Sequence, residues 1–173
     1  GVNMKNLFLL LALLINISFP TKLISQNFWE QTNGPNGGSV LSLAVNSNGH
    51  IFAGSKGGGM LRSTDNGENW EQINNGLTTN NIAALAINSL DYIFAGTNSG
   101  VFKSMDNGES WIQINNGLSY TFIISIAINS QDHIFVGTFE GGGVFRSTDN
   151  GENWSLMING LTNTYVLGLA INS

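Results

Sequence analysis

Apolar residues recur along this chain in short runs rather than in helical stripes. The run "LAVNS" at Leu43 returns as "LAINS" at Leu85, "IAINS" at Ile126 and "LAINS" at Leu169, at spacings of 42, 41 and 43 residues. A second run, "IFAGS" at Ile51, returns as "IFAGT" at Ile93 and "IFVGT" at Ile134, and Gly-Leu pairs recur at Gly76, Gly117 and Gly160. Clusters of Asn, Asp, Gly and Ser separate the runs, as hairpin turns require. In the middle unit this pattern predicts strands over Asn80–Asn88, Tyr92–Thr97, Gly100–Met105 and Ser110–Asn115. Beyond the first residues no window sustains a helical period, so no helix is expected. Four short strands per unit at this period are the signature of a β-propeller or a related β-array.

The first strand of each unit carries a further signal. Ser42, Ala84, Ser125 and Gly168 share one column, and Ala44, Ala86, Ala127 and Ala170 the column two residues on. A period of two places both on one face. That face is small throughout, while Leu43, Leu85, Ile126 and Leu169 fill the other. Small side chains suit a crowded position where successive blades converge, so this strand is expected innermost. The expected organisation is all-β: a propeller of four-stranded antiparallel blades over residues 26–173. Its units span about 39–77, 78–118 and 119–161, with extra strands at 27–34 and 162–173. The extra strand at the start rests on "NFWEQTNGP" (Asn27–Pro35), which aligns with "NWEQINNGL" (Asn69–Leu77). About three and a half blades fall short of the roughly four to eight that close a ring. The chain is therefore expected to continue past Ser173, and its cut edges to self-associate through unpaired backbone groups.

A third column is the octet "STDNGENW" at Ser63–Trp70, "SMDNGESW" at Ser104–Trp111 and "STDNGENW" at Ser147–Trp154. Asn66-Gly67, Asn107-Gly108 and Asn150-Gly151 supply residues that tolerate positive φ, a strong hairpin signal. Asp65, Asp106 and Asp149 can accept hydrogen bonds within their own turn, reinforced by Ser63, Ser104 and Ser147. Trp70, Trp111 and Trp154 can then anchor the hairpin by burying a large apolar surface. A calcium loop would need oxygens at alternate positions before its glycine, and the octet lacks that spacing. The octets are accordingly structural, with no metal and no cofactor expected.

The pattern Ser-x-Asp-x-Gly-x-x-Trp resembles the Asp-box, or BNR repeat, of sialidases, sortilin-type receptors, xyloglucan-degrading glycosidases and a photosystem assembly factor. The resemblance covers the three octets with their Ser, Asp, Gly and Trp residues, and the flanking repeat covers nearly all the chain after the leader. It implies a propeller and leaves activity open. A sialidase would need an arginine cluster, a Tyr nucleophile assisted by Glu, and an acidic proton donor. Here Arg62 and Arg146 occupy equivalent repeat positions, and no Arg-Ile-Pro stretch is present.

Charge and composition narrow the functional classes. Lys5 followed by the apolar run Leu7–Ile17, then Pro20 and the small residue Ser25, reads as a secretory signal peptide over residues 1–25. The run is shorter than the roughly 20 residues that span a bilayer, so no stable membrane span is expected once the leader is cleaved. Four basic residues after the leader (Lys56, Arg62, Lys103 and Arg146) face 11 acidic ones. Such a balance opposes nucleic-acid binding. The absence of cysteine excludes disulfides and thiol catalysis.

Function is expected on the face where the copies differ, opposite the octets. There the loops "SKGGG" (Ser55–Gly59), "TNSG" (Thr97–Gly100) and "TFEGGG" (Thr138–Gly143) vary, as do "TTNN" (Thr78–Asn81), "SYTF" (Ser119–Phe122) and "TNTY" (Thr162–Tyr165). Lys56, Asn98, Tyr120, Phe139, Glu140 and Tyr165 form the candidate binding rim, suited to a carbohydrate or protein ligand. The leading expectation is a non-catalytic binding or scaffold module of an exported bacterial surface protein. The alternative is a sialidase-like or xyloglucanase-like glycoside hydrolase whose carboxylate pair lies beyond Ser173.

Overall fold

The computed structural model describes residues 34, 38–139 and 141–171. The signal peptide expected at 1–25, Glu140 and the strand expected at 27–34, apart from Gly34, lie outside the described residues. The described chain is built from three antiparallel sheets of four strands each, every sheet ordered as the chain runs. Blade 1 holds β1 (Ser39–Val45), β2 (Ile51–Lys56), β3 (Gly59–Ser63) and β4 (Glu71–Gln72). Blade 2 holds β5 (Ile82–Ile87), β6 (Ile93–Thr97), β7 (Gly100–Ser104) and β8 (Ile112–Gln113). Blade 3 holds β9 (Ile123–Ile128), β10 (Ile134–Thr138), β11 (Val144–Ser147) and β12 (Ser155–Met157). No helix occurs among the described residues.

The hydrophobic core lies between blades, not within them. Phe52, Met60 and Ile73 of blade 1 pack on Ile82, Ile93, Ala95, Phe102 and Trp111 of blade 2. Phe94, Val101 and Ile114 of blade 2 repeat the arrangement against Ile123, Ile134, Val136, Phe145 and Trp154 of blade 3. The glycine in each second strand follows from this stacking. A Cβ on Gly54 would stand 2.7 Å from Ile82 Cγ2, and one on Gly96 2.7 Å from Ile123 Cγ2. The small column of the first strand sits inside the same seam, with Ala84 and Ser125 each 8% exposed.

Blade 1 presents the equivalent face without a described neighbour. Val40, in the column of the fully buried Ile82 and Ile123, is 39% exposed, and Leu43 and Val45 are about 60% exposed. The run 162–171, expected to contribute a strand, joins no ladder among the described residues. It lies along blade 3 through hydrogen bonds from Val166 N to Thr138 O (3.1 Å) and from Gly143 N to Thr164 O (2.9 Å). No second strand of its own unit pairs with it among the described residues.

The fourth strands are shorter than the sequence pattern suggests. In place of Ser110–Asn115, β8 keeps only Ile112–Gln113. The Trp111 N–H leaves its own sheet to donate to Asn75 O of the preceding blade at 2.9 Å. The inner strands carry a second irregularity. Val40 pairs with Ser55 and Ser42 with Gly54, which leaves Leu41 out of the ladder. Ala83 and Ile124 are passed over in the same way in β5 and β9. Each inner strand thus holds a β-bulge at the same repeat position, a device that re-aims a side chain.

Candidate functional site

The octets lie at the end of the sheets away from the bulges. In the first, Gly67 N donates to Ser63 Oγ (2.8 Å), and Ser63 Oγ donates to Asp65 Oδ1 (2.8 Å). Asn69 donates its N–H to Asp65 Oδ1 (2.9 Å) and its side-chain amide to Oδ2 (2.7 Å). Ser104, Asp106, Gly108 and Ser110 repeat the network, as do Ser147, Asp149, Gly151 and Asn153. Asn66, Asn107 and Asn150 take φ values of 59°, 57° and 56°, next to glycines that are also left-handed.

These hairpins also join neighbouring blades. Asn46 Nδ2 donates to Asn107 Oδ1 (2.9 Å), and Asn88 Nδ2 to Asn150 Oδ1 (3.0 Å). Ser47 holds the Asp91 carboxylate of the next blade through its N–H and hydroxyl, and Ser89 holds Asp132 likewise. Arg62 pairs with Glu71 along its own blade (2.7 Å) and with Glu109 of the next (2.8 Å). Trp111 and Trp154 donate their indole N–H to Ile73 O (2.8 Å) and Ile114 O (2.7 Å) of the blade before. Trp70 instead donates to Gly67 O in its own turn and is only half-buried. A hollow of about 240 Å³ beside it is lined by Arg62, Thr64, Asp65, Asn69, Trp70 and Glu71. The equivalent blade-2 positions Met105, Asp106, Ser110 and Ile112 are exposed, and the Asp65 carboxylate in the hollow is already held within its own turn.

Hydrogen bonds to the octet carboxylates set their acid strength. The Asn153 side chain, then the Asn153 N–H and Ser147, hold the Asp149 carboxyl down at about 2. Asp65 is lowered in the same way by Asn69 and Ser63. The folded-state pKa lies below the ordinary carboxylate value, so this stabilisation is present above about pH 4 and lost as pH falls from about 4 through about 2. The melting temperature should therefore drop between pH 4 and 2, and Asp149→Asn should flatten that acid limb. An acid limb unchanged by the substitution would remove Asp149 from the account.

The opposite face is shaped by the bulges and the variable loops. Leu41, Ala83 and Ile124 line a groove of about 280 Å³ together with Phe122, Lys56, Asn81 and Asn98. Lys56 ends β2 and pairs through its backbone with Asn81 of the next blade. Its ammonium has no hydrogen-bonding or ionic partner among the described residues. Asn98 is braced by Thr79 Oγ1, which donates to its Oδ1 at 2.9 Å, leaving the amide NH2 open. Toward blade 3 the rim becomes aromatic. Phe122 and Phe139 lie 5.3 Å apart, and Phe139 meets Tyr165 edge-on at 6.0 Å. Tyr120 packs over Gly142, where a Cβ would come within 2.4 Å of its ring.

Of the rim residues read from the sequence, Lys56 and Asn98 thus share the groove. Phe139 and Tyr165 form an adjoining aromatic edge, and Tyr120 stands apart on the blade-3 loop. Glu140 lies outside the described residues. Phe122 was read only as the end of a variable loop, and Leu41, Ala83 and Ile124 escaped the sequence reading. So did Asn74 and Asn115, whose Oδ1 atoms accept from Met60 N (2.7 Å) and Val101 N (2.9 Å) and fix the outer strands. The Asn that precedes Asn-Gly in both copies was the available signal for these two.

Three meander blades stacked through repeated seams define a β-propeller. The chain belongs to the DUF6242 beta propeller domain family, whose model matches residues 19–169. No curated protein sequence matches it. Its fold is similar to that of an ancestral GH74 enzyme, with a TM-score of 0.60 and 26% identity, over 73% of this chain and 19% of that one. It is also similar to PorZ, a surface component of the type-IX secretion system of Porphyromonas gingivalis (TM-score 0.62, 16% identity, 79% of this chain and 24% of that one). A third likeness is to YCF48 bound to D1 peptide (TM-score 0.55, 18% identity, 79% of this chain and 45% of that one). The chain spans less than half the length of each of these proteins. Among the described residues no helix is long and apolar enough to cross a membrane.

Proposed function

We propose that the chain is a non-catalytic binding module of an exported protein and that its ligand sits on the face opposite the octets. The groove formed by Leu41, Ala83, Phe122 and Ile124 with Lys56, Asn81 and Asn98 carries this reading. It combines an apolar floor with a few polar groups that keep donors open, the composition of a recognition site. The octet aspartates are engaged in hydrogen bonds within their own turns, and Glu109 pairs with Arg62 of the blade before, which suits a structural role as Asp-box joints. Export rests on the Lys5, Leu7–Ile17 and Ser25 pattern. The likenesses to a surface component and to a peptide-bound propeller are in keeping with a binding role.

The likeness to an ancestral GH74 enzyme favours a second reading, a glycoside hydrolase completed by residues outside the described part. Hydrolysis needs two carboxylates flanking one bond, and the described residues of the groove include none. Incubating the full-length protein, including any residues that follow Ser173, with xyloglucan and with a sialoside, and measuring released sugar, separates the two readings. No release above the blank is expected. Release that is lost on substituting Glu140 would establish the hydrolase and overturn the binding-module reading.

A further inference from the structure

We infer that the hollow over Ala83 receives one large apolar side chain of a peptide ligand, and that Lys56 beside it holds a carboxylate of the same peptide. This inference rests on the binding-face reading and gives it a ligand class. The three bulged residues occupy one repeat position, and each is turned out of its ladder at the same end of the sheets. Two of them are large, Leu41 and Ile124, and the middle one is alanine. Ala83 therefore forms a floor, with Leu41, Ile124 and Phe122 as walls. These walls carry no hydrogen-bonding groups, so the hollow favours an apolar side chain over a sugar ring. The neighbouring rings do not form an open stacking platform, because Phe139 is tilted onto Phe122 and set edge-on to Tyr165.

Charge supplies the second half of the ligand. Lys56 is the one charged side chain among the described residues of the groove. The described carboxylates stand in the octets, at β4 and in the turns before β6 and β10, toward the other face. An acidic peptide thus meets a cation here that has no partner among the described residues, with the Asn98 amide NH2 and the Asn81 side chain open toward its backbone. The carboxylate has two sources, an Asp or Glu side chain or the free C-terminus of the peptide, and either satisfies Lys56.

A test pans a random dodecapeptide library, displayed with free C-termini, against the full chain and against its Ala83→Leu and Lys56→Gln variants. Ala83→Leu gives the middle bulge the residue that Leu41 supplies in blade 1, so it should melt like the parent. Selected peptides are expected to share a large apolar residue next to Asp, Glu or the terminus. In fluorescence anisotropy, a synthetic copy should bind the Ala83→Leu variant at least tenfold more weakly. Lys56→Gln should weaken it severalfold and abolish the preference for acid. Amidating the terminus in one peptide, and replacing Glu by Gln in another, identifies which carboxylate is held. Peptides that bind Ala83→Leu as tightly as the parent would overturn the inference. Glycan-array binding lost in Ala83→Leu, with no peptide enriched, would overturn the peptide class while keeping the binding face. Failure to bind either kind of probe would overturn both.

Discussion

Replacing Trp111 by alanine is expected to lower the stability of the chain by about 3–5 kcal/mol, the range for deleting a buried large aromatic side chain. Trp111 is 3% exposed and packs in the seam with Phe52, Met60 and Ile73 of the blade before. The substitution removes that packing and leaves Ile73 O without its indole donor, and a buried unsatisfied carbonyl adds to the cost. Trp70 occupies the same octet position but is half-buried and bonds within its own turn. Trp70→Ala should therefore cost only about 1–2 kcal/mol of lost apolar burial. Urea denaturation of the two variants reads the difference directly. Equal losses would mean that the tryptophans act inside their own hairpins, and that the blade seam contributes nothing specific at this position. The comparison separates the two roles of the octet, turn and inter-blade clasp, because only the clasp differs between the two sites.

That division also marks how far the sequence could be read. Three octets in register and the repeated "IFAG" column were enough to place the strands of the middle unit to within two residues at most ends. These features are local, since spacing, turn chemistry and alternation act within a hairpin. The inter-blade part was not legible, because it depends on which backbone a side chain meets in the next unit. Ser47 and Asp91 are bound to each other across 44 residues, and nothing in either segment announces the other. The groove was hidden for a different reason. The run "IAALAI" in β5 is apolar at every position, so its alternation reads the same with or without an extra residue. Only the pairing of Ile82 with Thr97 and then of Ala84 with Gly96 reveals that Ala83 is expelled from the ladder. Lys56 and Asn98 were legible as variable loop positions, but the apolar floor that joins them was not.

Substituting Gly76 by alanine is expected to cost about 3–4 kcal/mol, whereas the same change at Gly160 should cost only about 1–2 kcal/mol. The two glycines occupy the same repeat column and have nearly the same left-handed backbone, φ +90° and +85°. Both substitutions place an L side chain where it is disfavoured by about 1–2 kcal/mol. They differ in what lies above the Cα. A Cβ on Gly76 would fall 2.2 Å from Trp111 O, while a Cβ on Gly160 would meet nothing within 4 Å. The Trp111 carbonyl is backbone and cannot rotate away, so the seam between blades 1 and 2 must open, adding an overpacking cost of about 1–3 kcal/mol. Gly117, whose Cβ would stand 2.3 Å from Trp154 O, should behave like Gly76. Denaturation midpoints of Gly76→Ala, Gly117→Ala and Gly160→Ala, measured side by side, cancel the backbone contribution and isolate the close approach between blades. Three equal shifts would show that turn conformation alone selects glycine in this column. The expected split, with Gly76 and Gly117 large and Gly160 small, would show that the column is held by the contact between a loop and the tryptophan strand of the following blade.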